Sequence, residues 1–330
     1  MHTLKDYGAC TMKHSLLDIL CCIKCSDSLF FKENILAANK NEIESGVLEC
    51  EGCGEQYPII NGVPVFQTDA LDQNVTAKAF SEQWSAHKNG LFEKKDVFGF
   101  TENDYISHFC YAFDIKNHHL LKGVIIEAGI GSGCLAYTLA KESPQSIVIG
   151  IDISDSVFAL SSIARELPNL HLIQCDLANP PIKKGTADKV YSSGVLHHTE
   201  NPSIGLSRLW SLLNKKGELY FWVYPSYVHC AYDWLRKFLG HPYKWTSKVR
   251  YSLSWLLAPI MWAYFFSTKR YSYKQSQETV ETIAFRIFDN ISPEFQHRIS
   301  KNEVAAWCNR AGVKSFKIIN DLGVLCSHGS

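Results

Sequence analysis

Two groups of residues in this chain have the types and the spacing to do chemistry. Cys22-x-x-Cys25 and Cys50-x-x-Cys53 form two pairs with 24 residues between them. Two such pairs can wrap one tetrahedral zinc ion, and four thiolates leave no position open, so the ion would be structural. A segment this short has too little core to fold alone, and the metal then supplies folding energy. The second group is "VIIEAGIGSGCLAYTLAK" (124–141), where an apolar run meets Glu127 and then glycines at 129, 131 and 133. Glycines there let the chain turn with positive φ and let a ligand lie directly on the backbone. A dinucleotide fingerprint would place its third small residue at 134, which here is Cys134.

The elements that must position these residues are written in the apolar pattern. Residues 124–128 read as a buried parallel strand, followed by a tight turn and a helix carrying Leu135, Ala136, Leu139 and Ala140. "SIVIGIDIS" (146–154) is a second buried strand ending in Asp152, where an acid can take both ribose hydroxyls of an adenosine. "HLIQCDL" (171–177) ends in Asp176 and Leu177, a polar group beside an apolar face, as an adenine edge and ring require. "ADKVYSSGVLHH" (187–198) and "GELYFWVYP" (217–225) are the fourth and fifth strands, the fourth ending in two histidines. Helical patterns at 154–166, 202–213 and 300–311 alternate with them, and "KSFKIIND" and "GVLCSHG" close the chain as strands. The expected fold class is α/β, a doubly wound, mostly parallel seven-stranded sheet with its ligand at the carboxyl ends of the strands.

Bulk properties set the limits. The chain has 330 residues, 46% of them hydrophobic, enough for a large core and for two domains. Its formal net charge is zero, so no global field draws it to nucleic acid or membrane. "MHTLKDYGACTMKH" lacks the apolar core of a secretion signal. The twelve cysteines then point to a reducing, cytoplasmic setting and to metal rather than disulfides. The longest apolar run, 252–267, is shorter than the roughly 18–20 residues of a spanning helix and contains Pro259, so no transmembrane segment is expected.

Taken in order, "EAGIGSG", "GIDIS", "CDL" and "VYSSGVLHHTENP" resemble the successive motifs of class I S-adenosylmethionine-dependent methyltransferases of the type 11 kind. The resemblance implies a Rossmann-like domain over 122–330 with S-adenosylmethionine as cofactor. By position it assigns Gly129, Gly131 and Gly133 to the methionine part and Glu127 to the amino end. Asp152 with Ile153 goes to the ribose, Asp176 with Leu177 to the adenine, and Ser193 joins the cofactor site. The glycines would then admit a tail with no phosphate to cradle.

"LLDILCCIKC…GVLECEGCGEQYPIINGVPVF" resembles the zinc-ribbon protein that serves as activating subunit for tRNA, rRNA and protein methyltransferases, here fused in cis over about residues 14–68. The expected organisation is a zinc ribbon at 1–70, a linker with cofactor-covering helices at 71–121, and the methyltransferase domain with a helical insertion at about 226–285. "FSEQWSAHKNGLF" (80–92) looks like an aromatic entry segment, with Gln83 and Trp84 as cofactor contacts or as packing of a linker helix. "ANPPI" (178–182) resembles the N-P-P-Y signature of amino-group methylation, but it precedes the fourth strand instead of following it. That displaced position argues against amino-group methylation and toward oxygen or another nucleophile.

Residues 227–275 hold eight Lys or Arg against one acid, Asp233, with fourteen aromatic residues. Such a mixture suits single-stranded RNA, a membrane surface (through 252–267), a pocket for a lipid-linked or aromatic substrate, or a plain helical cap. Residues 1–75 carry five Lys or Arg and eleven Asp or Glu, which argues against a broad nucleic-acid footprint. For a hydroxyl acceptor a general base is needed, and His197 at the end of the fourth strand is the candidate, with Tyr224 to orient the acceptor. "FDNISPEFQHRISKNEVAAW" (288–307) adds Asp289 and His297 as a possible base and orienter. The expected activity is methylation of a small or carrier-linked metabolite such as a sugar or secondary-metabolite hydroxyl. An RNA- or protein-modifying enzyme and a non-catalytic adaptor are the alternatives.

Overall fold

The computed structural model describes residues 12–39, 42–66, 74–88, 100–226, 231–268 and 279–329. In chain order the first elements are β1 (Met12–Lys13), β2 (Leu29–Asn39), β3 (Glu42–Cys50), β4 (Gln56–Ile60) and β5 (Val63–Phe66). Helices α1 (Val75–Lys88) and α2 (Glu102–Ala112) lead to β6 (Gly123–Ala128), α3 (Cys134–Glu142), β7 (Ser146–Asp152), α4 (Ser156–Glu166) and β8 (Leu170–Cys175). Then come β9 (Ala187–Ser193), α5 (Pro202–Ser211), β10 (Leu213–Trp222), α6 (Ala231–Leu239), α7 (Ser247–Thr268), α8 (Val280–Ile291), α9 (Lys301–Ala311), β11 (Ser315–Ile319) and β12 (Gly323–Ser327).

Seven strands in the order β8-β7-β6-β9-β10-β12-β11 form the expected doubly wound sheet. The first five run parallel, and β12 and β11 close one edge antiparallel. The interior strand β7 is SIVIGID with six of its seven residues buried, the continuous apolar run of a strand covered on both faces. One face is packed by α2, α3 and α4 through Phe109, Leu135, Leu139 and Val157 against Ile125 and Val148. The opposite face is packed by α5 and α9 through Leu206, Leu209, Val304 and Trp307 against Ile126 and Ile149. Asn201 accepts from the Ile204 amide ahead of Pro202 at the start of α5, and a reciprocal Ser300–Glu303 box starts α9.

The sheet does not end at β8. β5 pairs with it in parallel, Val65 opposite Gln174 and Phe66 opposite Cys175, and β4, β3, β2 and β1 continue antiparallel beyond. Twelve strands therefore form one sheet, in which the seven-stranded sheet and the ribbon are joined edge to edge. Leu16, Leu20, Leu48 and Phe66 of the cysteine-bearing segment belong to the same buried cluster as Ile149, Ile173 and Leu209. The "ANPPI" loop is part of this joint. Pro181 carbonyl accepts from Cys21 amide at 2.9 Å, Ile182 bridges Leu20, Asn179 side chain donates to Ile23 carbonyl, and Lys183 amide donates to Ile19 carbonyl.

The insertion after β10 forms α6, α7 and the start of α8, with residues 227–230 and 269–278 lying outside the described residues. Tyr232, Ala258, Ile283, Phe285 and Phe288 give it a core of its own, against which Trp84 and Tyr105 pack. Buried Arg250 ties it to α1 through Glu82 at 2.5 Å. Among the described residues no helix is long and apolar enough to cross a membrane.

Because residues 12–66 and the central sheet share one core, calorimetry should show them unfolding in a single transition. Phe66→Ala is expected to lower the stability of that transition by about 3–5 kcal/mol. A separate ribbon transition, with the main one unmoved by the substitution, would contradict the shared core.

Candidate active site

The glycine turn follows β6 and is clamped to the end of β7. Gly129 and Ile130 amides both donate to Ile151 carbonyl, and Gly131 amide donates to Asp152 Oδ2 at 3.0 Å. Each glycine lacks a Cβ for its own reason. A Cβ at 129 would lie 2.3 Å from Val195, one at 131 would lie 2.7 Å from the Trp84 ring, and one at 133 would lie 2.3 Å from Leu160. All three have positive φ. Gly129 and Gly131 line the cavity described below, whereas Gly133 caps α3 with φ 76° and does not. It permits close packing of α3 against Leu160 of α4, while the first two glycines of the three form the cavity wall.

Asp152 is buried and well supplied with donors. Oδ1 accepts from Ser154 amide at 2.8 Å and Ser154 hydroxyl at 2.7 Å, and Oδ2 from Gly131. Burial raises its pKa above the usual carboxylate value, and these bonds oppose that shift. Burial likewise pushes Glu127 up to about 8, against the bond it accepts from Ala136 amide at 2.8 Å. Asp176 takes Ala178 amide at 2.8 Å, which bends the chain after β8 and leaves Leu177 beside it.

One cavity of about 1450 Å³ connects these groups. Glu127, Gly129, Gly131, Asp152, Ile153, Asp176, Leu177 and Ser193 line one part of it, with Trp84 against the glycine turn. The other part is walled by His198, Tyr224, Asp289, Arg286 and Arg298, and by Tyr232, Tyr264 and Phe265 of the insertion. Gln83 does not line it. It is fully buried and donates to Asp289 Oδ1 at 2.9 Å, and Tyr224 hydroxyl donates to Asp289 Oδ2 at 3.3 Å. Residues 89–92 of the expected entry segment lie outside the described residues.

The histidines are arranged differently from the expectation. β9 stops at Ser193, and after Gly194 (φ 79°) the chain makes a short 3-10 turn over Leu196–His198. The turn sends His197 inward. It is 0% exposed, stacks on Tyr224 at 3.9 Å between ring centroids, and neither ring nitrogen has a hydrogen-bond partner among the described residues. Burial, then the neighbouring His198 and Arg298, holds it well below the ordinary histidine pKa. His197 thus packs, and His198 is the one that reaches the cavity. His198 Nδ1 lies 3.0 Å from Phe295 carbonyl, which can only accept, so Nδ1 carries the proton and Nε2 the lone pair. Burial lowers its pKa too, with Asp289 acting in the opposite sense.

Asp289 and His297 do not pair. His297 Nε2 donates to Thr199 carbonyl at 3.1 Å, its amide donates to His197 carbonyl, and Ile299 amide donates to Tyr224 carbonyl. Residues 295–299 are a strap that laces together the turns after β9 and β10. Arg298 in that strap lies over the Tyr224 ring at 4.7 Å and pairs with Asp233. Sequence reasoning missed Arg298, although it adjoins His297 in the quoted segment, and it put forward His197 where the structure places His198 on the cavity wall.

The cysteines converge as expected. Sγ atoms of Cys22, Cys25, Cys50 and Cys53 all lie within 4.8 Å of one another, Cys22 to Cys53 at 3.6 Å and Cys25 to Cys50 at 3.3 Å. A tetrahedron with zinc–sulfur bonds of about 2.3 Å has edges of about 3.8 Å, so the four thiols fit one zinc ion. The two knuckles are alike. Cys22 carbonyl accepts from Ser26 amide and Cys50 carbonyl from Gly54 amide, and both turn residues have positive φ. Tyr57 hydroxyl sits 3.1 Å from Cys22 Sγ and would orient that ligand. Cys21 points elsewhere, into the joint with 181–183.

A family model described as a methyltransferase domain matches residues 126–221, and one described as Trm112p-like protein matches residues 13–62. The chain carries a methyltransferase domain fused to a Trm112p-like domain. Trans-aconitate 2-methyltransferase of Deinococcus radiodurans is 31% identical over 108 residues, 33% of this chain and 40% of that protein. The tRNA U34 carboxymethyltransferase of Ruthia magnifica subsp. Calyptogena magnifica is 29% identical over 117 residues, 32% of this chain and 36% of that protein. The chain thus spans a quarter to two fifths of the length of the curated relatives it matches. A solved complex of the Haloferax volcanii Trm112 methyltransferase activator with a methyltransferase aligns at 16% identity and TM-score 0.39. It covers 73% of this chain and 81% of that one.

No described residue of 12–66 lines the cavity, yet the loop that follows Asp176 is held by the ribbon. Stripping zinc with a chelator, or Cys50→Ser, is therefore expected to lower the melting temperature of the whole chain and to weaken S-adenosylhomocysteine binding several-fold. Titration calorimetry beside a melting curve checks both. Unchanged affinity in a zinc-free, folded protein would show the loop to be independent of the metal.

Proposed function

We propose that the chain is an S-adenosylmethionine-dependent methyltransferase acting on a hydroxyl, or a similar nucleophile, of a small or carrier-linked metabolite. The observation that carries this is the continuity of one cavity from Gly131, Asp152 and Asp176 to Tyr224, Asp289 and His198. A single ligand site commonly occupies about 300–1,000 Å³, so this volume suits a cofactor and an acceptor together. The residues fit that cofactor. Asp152 offers a diol-binding carboxylate held at a strand end, Asp176 and Leu177 offer a polar edge and an apolar face, and the glycine turn leaves no side chain in the way. The bound sulfonium supplies an activated methyl group together with its own leaving group.

What the chain supplies is alignment and a proton acceptor. In-line displacement needs the acceptor oxygen held about 3–3.5 Å from the methyl carbon. His198, neutral because it is buried and with Nδ1–H fixed on Phe295 carbonyl, takes the hydroxyl proton on Nε2. Asp289 favours the imidazolium that results, and Tyr224 stays a neutral phenol because burial and Asp289 both raise its pKa. Arg286 and Arg298 add positive charge to the acceptor side.

Methyl-labelled S-adenosylmethionine, offered with host extract divided into small-molecule, lipid, RNA and protein fractions, tests the reading. Label should enter the small-molecule or lipid fraction. Asp152→Ala should abolish cofactor binding, and His198→Ala should lower turnover by about 10²–10⁴ while cofactor binding persists. A modification enzyme for RNA or protein is the second reading, favoured by the Trm112p-like match, and label in either of those fractions would establish it in place of the first. Cofactor binding absent from the unaltered protein would leave an adaptor.

Glu127 gives a pH test of the amino-end assignment. In the ligand-free protein its pKa lies above the ordinary value, so the folded chain keeps a proton that the unfolded chain loses, and stability falls as pH rises from about 4.5 to about 8. An ammonium beside the carboxylate would expel that proton. S-adenosylhomocysteine binding at pH 7 should then release protons, seen by calorimetry in buffers of different ionisation enthalpy, and tighten as pH approaches 8. Glu127→Gln should remove the proton release. Release undiminished in that variant would assign the amino end elsewhere.

A further inference from the structure

Helices α6 and α7 present two unlike faces. Inward, Tyr232, Tyr264 and Phe265 form part of the cavity wall. Outward, Trp234 and Phe238 are 70% and 88% exposed, and Leu256, Ile260 and Phe266 are 70%, 65% and 69% exposed. Scattered exposed apolar residues are ordinary, but Trp234 with Phe238 and Leu256 with Ile260 stand four apart on two successive helices. From Tyr251 to Thr268 α7 carries no charged residue. Tyr264 belongs to both faces, 42% exposed and lining the cavity, so the apolar surface is continuous with the cavity rim.

Within residues 231–268 the exposed charged residues all have one sign. Lys237, Lys244 and Lys248 are exposed at its edge. The other cations are engaged inward: Arg236 donates to Asn290 and Glu294 carbonyls, and Arg250 pairs with Glu82. Asp233, the single acid of residues 231–268, pairs with Arg298 of the strap. We propose that this face is a site for the surface of an anionic lipid bilayer. The helices lie in the headgroup plane, the apolar side chains enter the acyl boundary and the lysines meet lipid phosphates. The acceptor is then an amphiphile that enters past Tyr264 with its polar end foremost, a second step that rests on the methyl-transfer reading. A second copy of the chain fits less well. A twofold contact is self-complementary, and it would bring these lysines together with no acid on the face to pair them. RNA would leave Leu256 and Ile260 without a role, since base stacking uses aromatic faces.

The test uses the full, zinc-loaded chain and vesicles of phosphatidylcholine, alone or with about a third phosphatidylglycerol. It should sediment with the mixed vesicles and much less with phosphatidylcholine alone. Phe238→Ser with Leu256→Ser should weaken binding at least tenfold, and each of Lys237→Gln, Lys244→Gln and Lys248→Gln about fivefold. These positions are exposed and away from the cofactor groups, so S-adenosylhomocysteine binding should survive in every variant and show that each is folded. Equal sedimentation of all variants would overturn the proposal. So would no sedimentation, whether the chain is monomeric, forms a dimer that Phe238→Ser splits, or retains RNA. Sedimentation needs no methyl transfer, so a protein that binds vesicles but labels nothing would sink the enzymatic reading and leave the docking site. Labelling without vesicle binding would do the reverse.

Discussion

An open parallel sheet cannot leave its edge strand bare without offering a row of unpaired amides and carbonyls to whatever comes near. Here the exposed edge of β8 is closed by two residues, Val65 and Phe66, at the end of the ribbon. That short parallel pairing explains much else about the molecule. It makes the metal-bearing segment part of one sheet and one core. It also fixes the loop after β8, because the ribbon's turn at 19–23 must then lie against residues 179–183. The loop so fixed begins at Asp176, in the cavity wall. Cysteine cluster, edge and cavity are therefore linked by hydrogen bonds, with no side chain of the described ribbon residues entering the site.

The opposite side of the cavity is built by a different device. The turns after β9 and β10 bear His198 and Tyr224, and a separate segment of chain ties the two together. That segment is the strap at 295–299, which donates to or accepts from His197, His198, Thr199 and Tyr224. Asp289, at the end of α8, then gathers Gln83 from α1 and Tyr224 from the turn after β10. A buried carboxylate with two donors and a neutral histidine nearby is a polar network satisfied by groups far apart in the chain, and its geometry depends on all of them.

Features held within one turn of chain were legible in the sequence. The glycines, Asp152 and Asp176 mark strand ends, and their chemistry follows from spacing of one to three residues. The cysteine pairs converge because each knuckle is a local turn. What the sequence did not show was decided over long range or by a change of period. His197 was favoured over His198 by the family resemblance with both placed at the end of the fourth strand, but the strand ends at Ser193, and the 3-10 turn that follows buries His197 and leaves His198 on the cavity wall. Asp289 and His297 looked like partners because they are near in sequence, whereas the partners of Asp289 are 206 and 65 residues away. The closing of β8 by β5 left no mark in either strand, and "ANPPI" resembled a catalytic signature while serving as a seat for the ribbon.

Trp84 covers the glycine turn from α1, and α1 is the first helix after β5. The same stretch of chain that leaves the ribbon thus delivers the side chain lying over the turn. A separate activating subunit must find its enzyme and can be lost on dilution. A segment tethered in cis is present at a fixed effective concentration, whatever the amount of protein. For this chain, contact between ribbon and sheet is a property of a single molecule, with a stoichiometry of one to one written into translation itself.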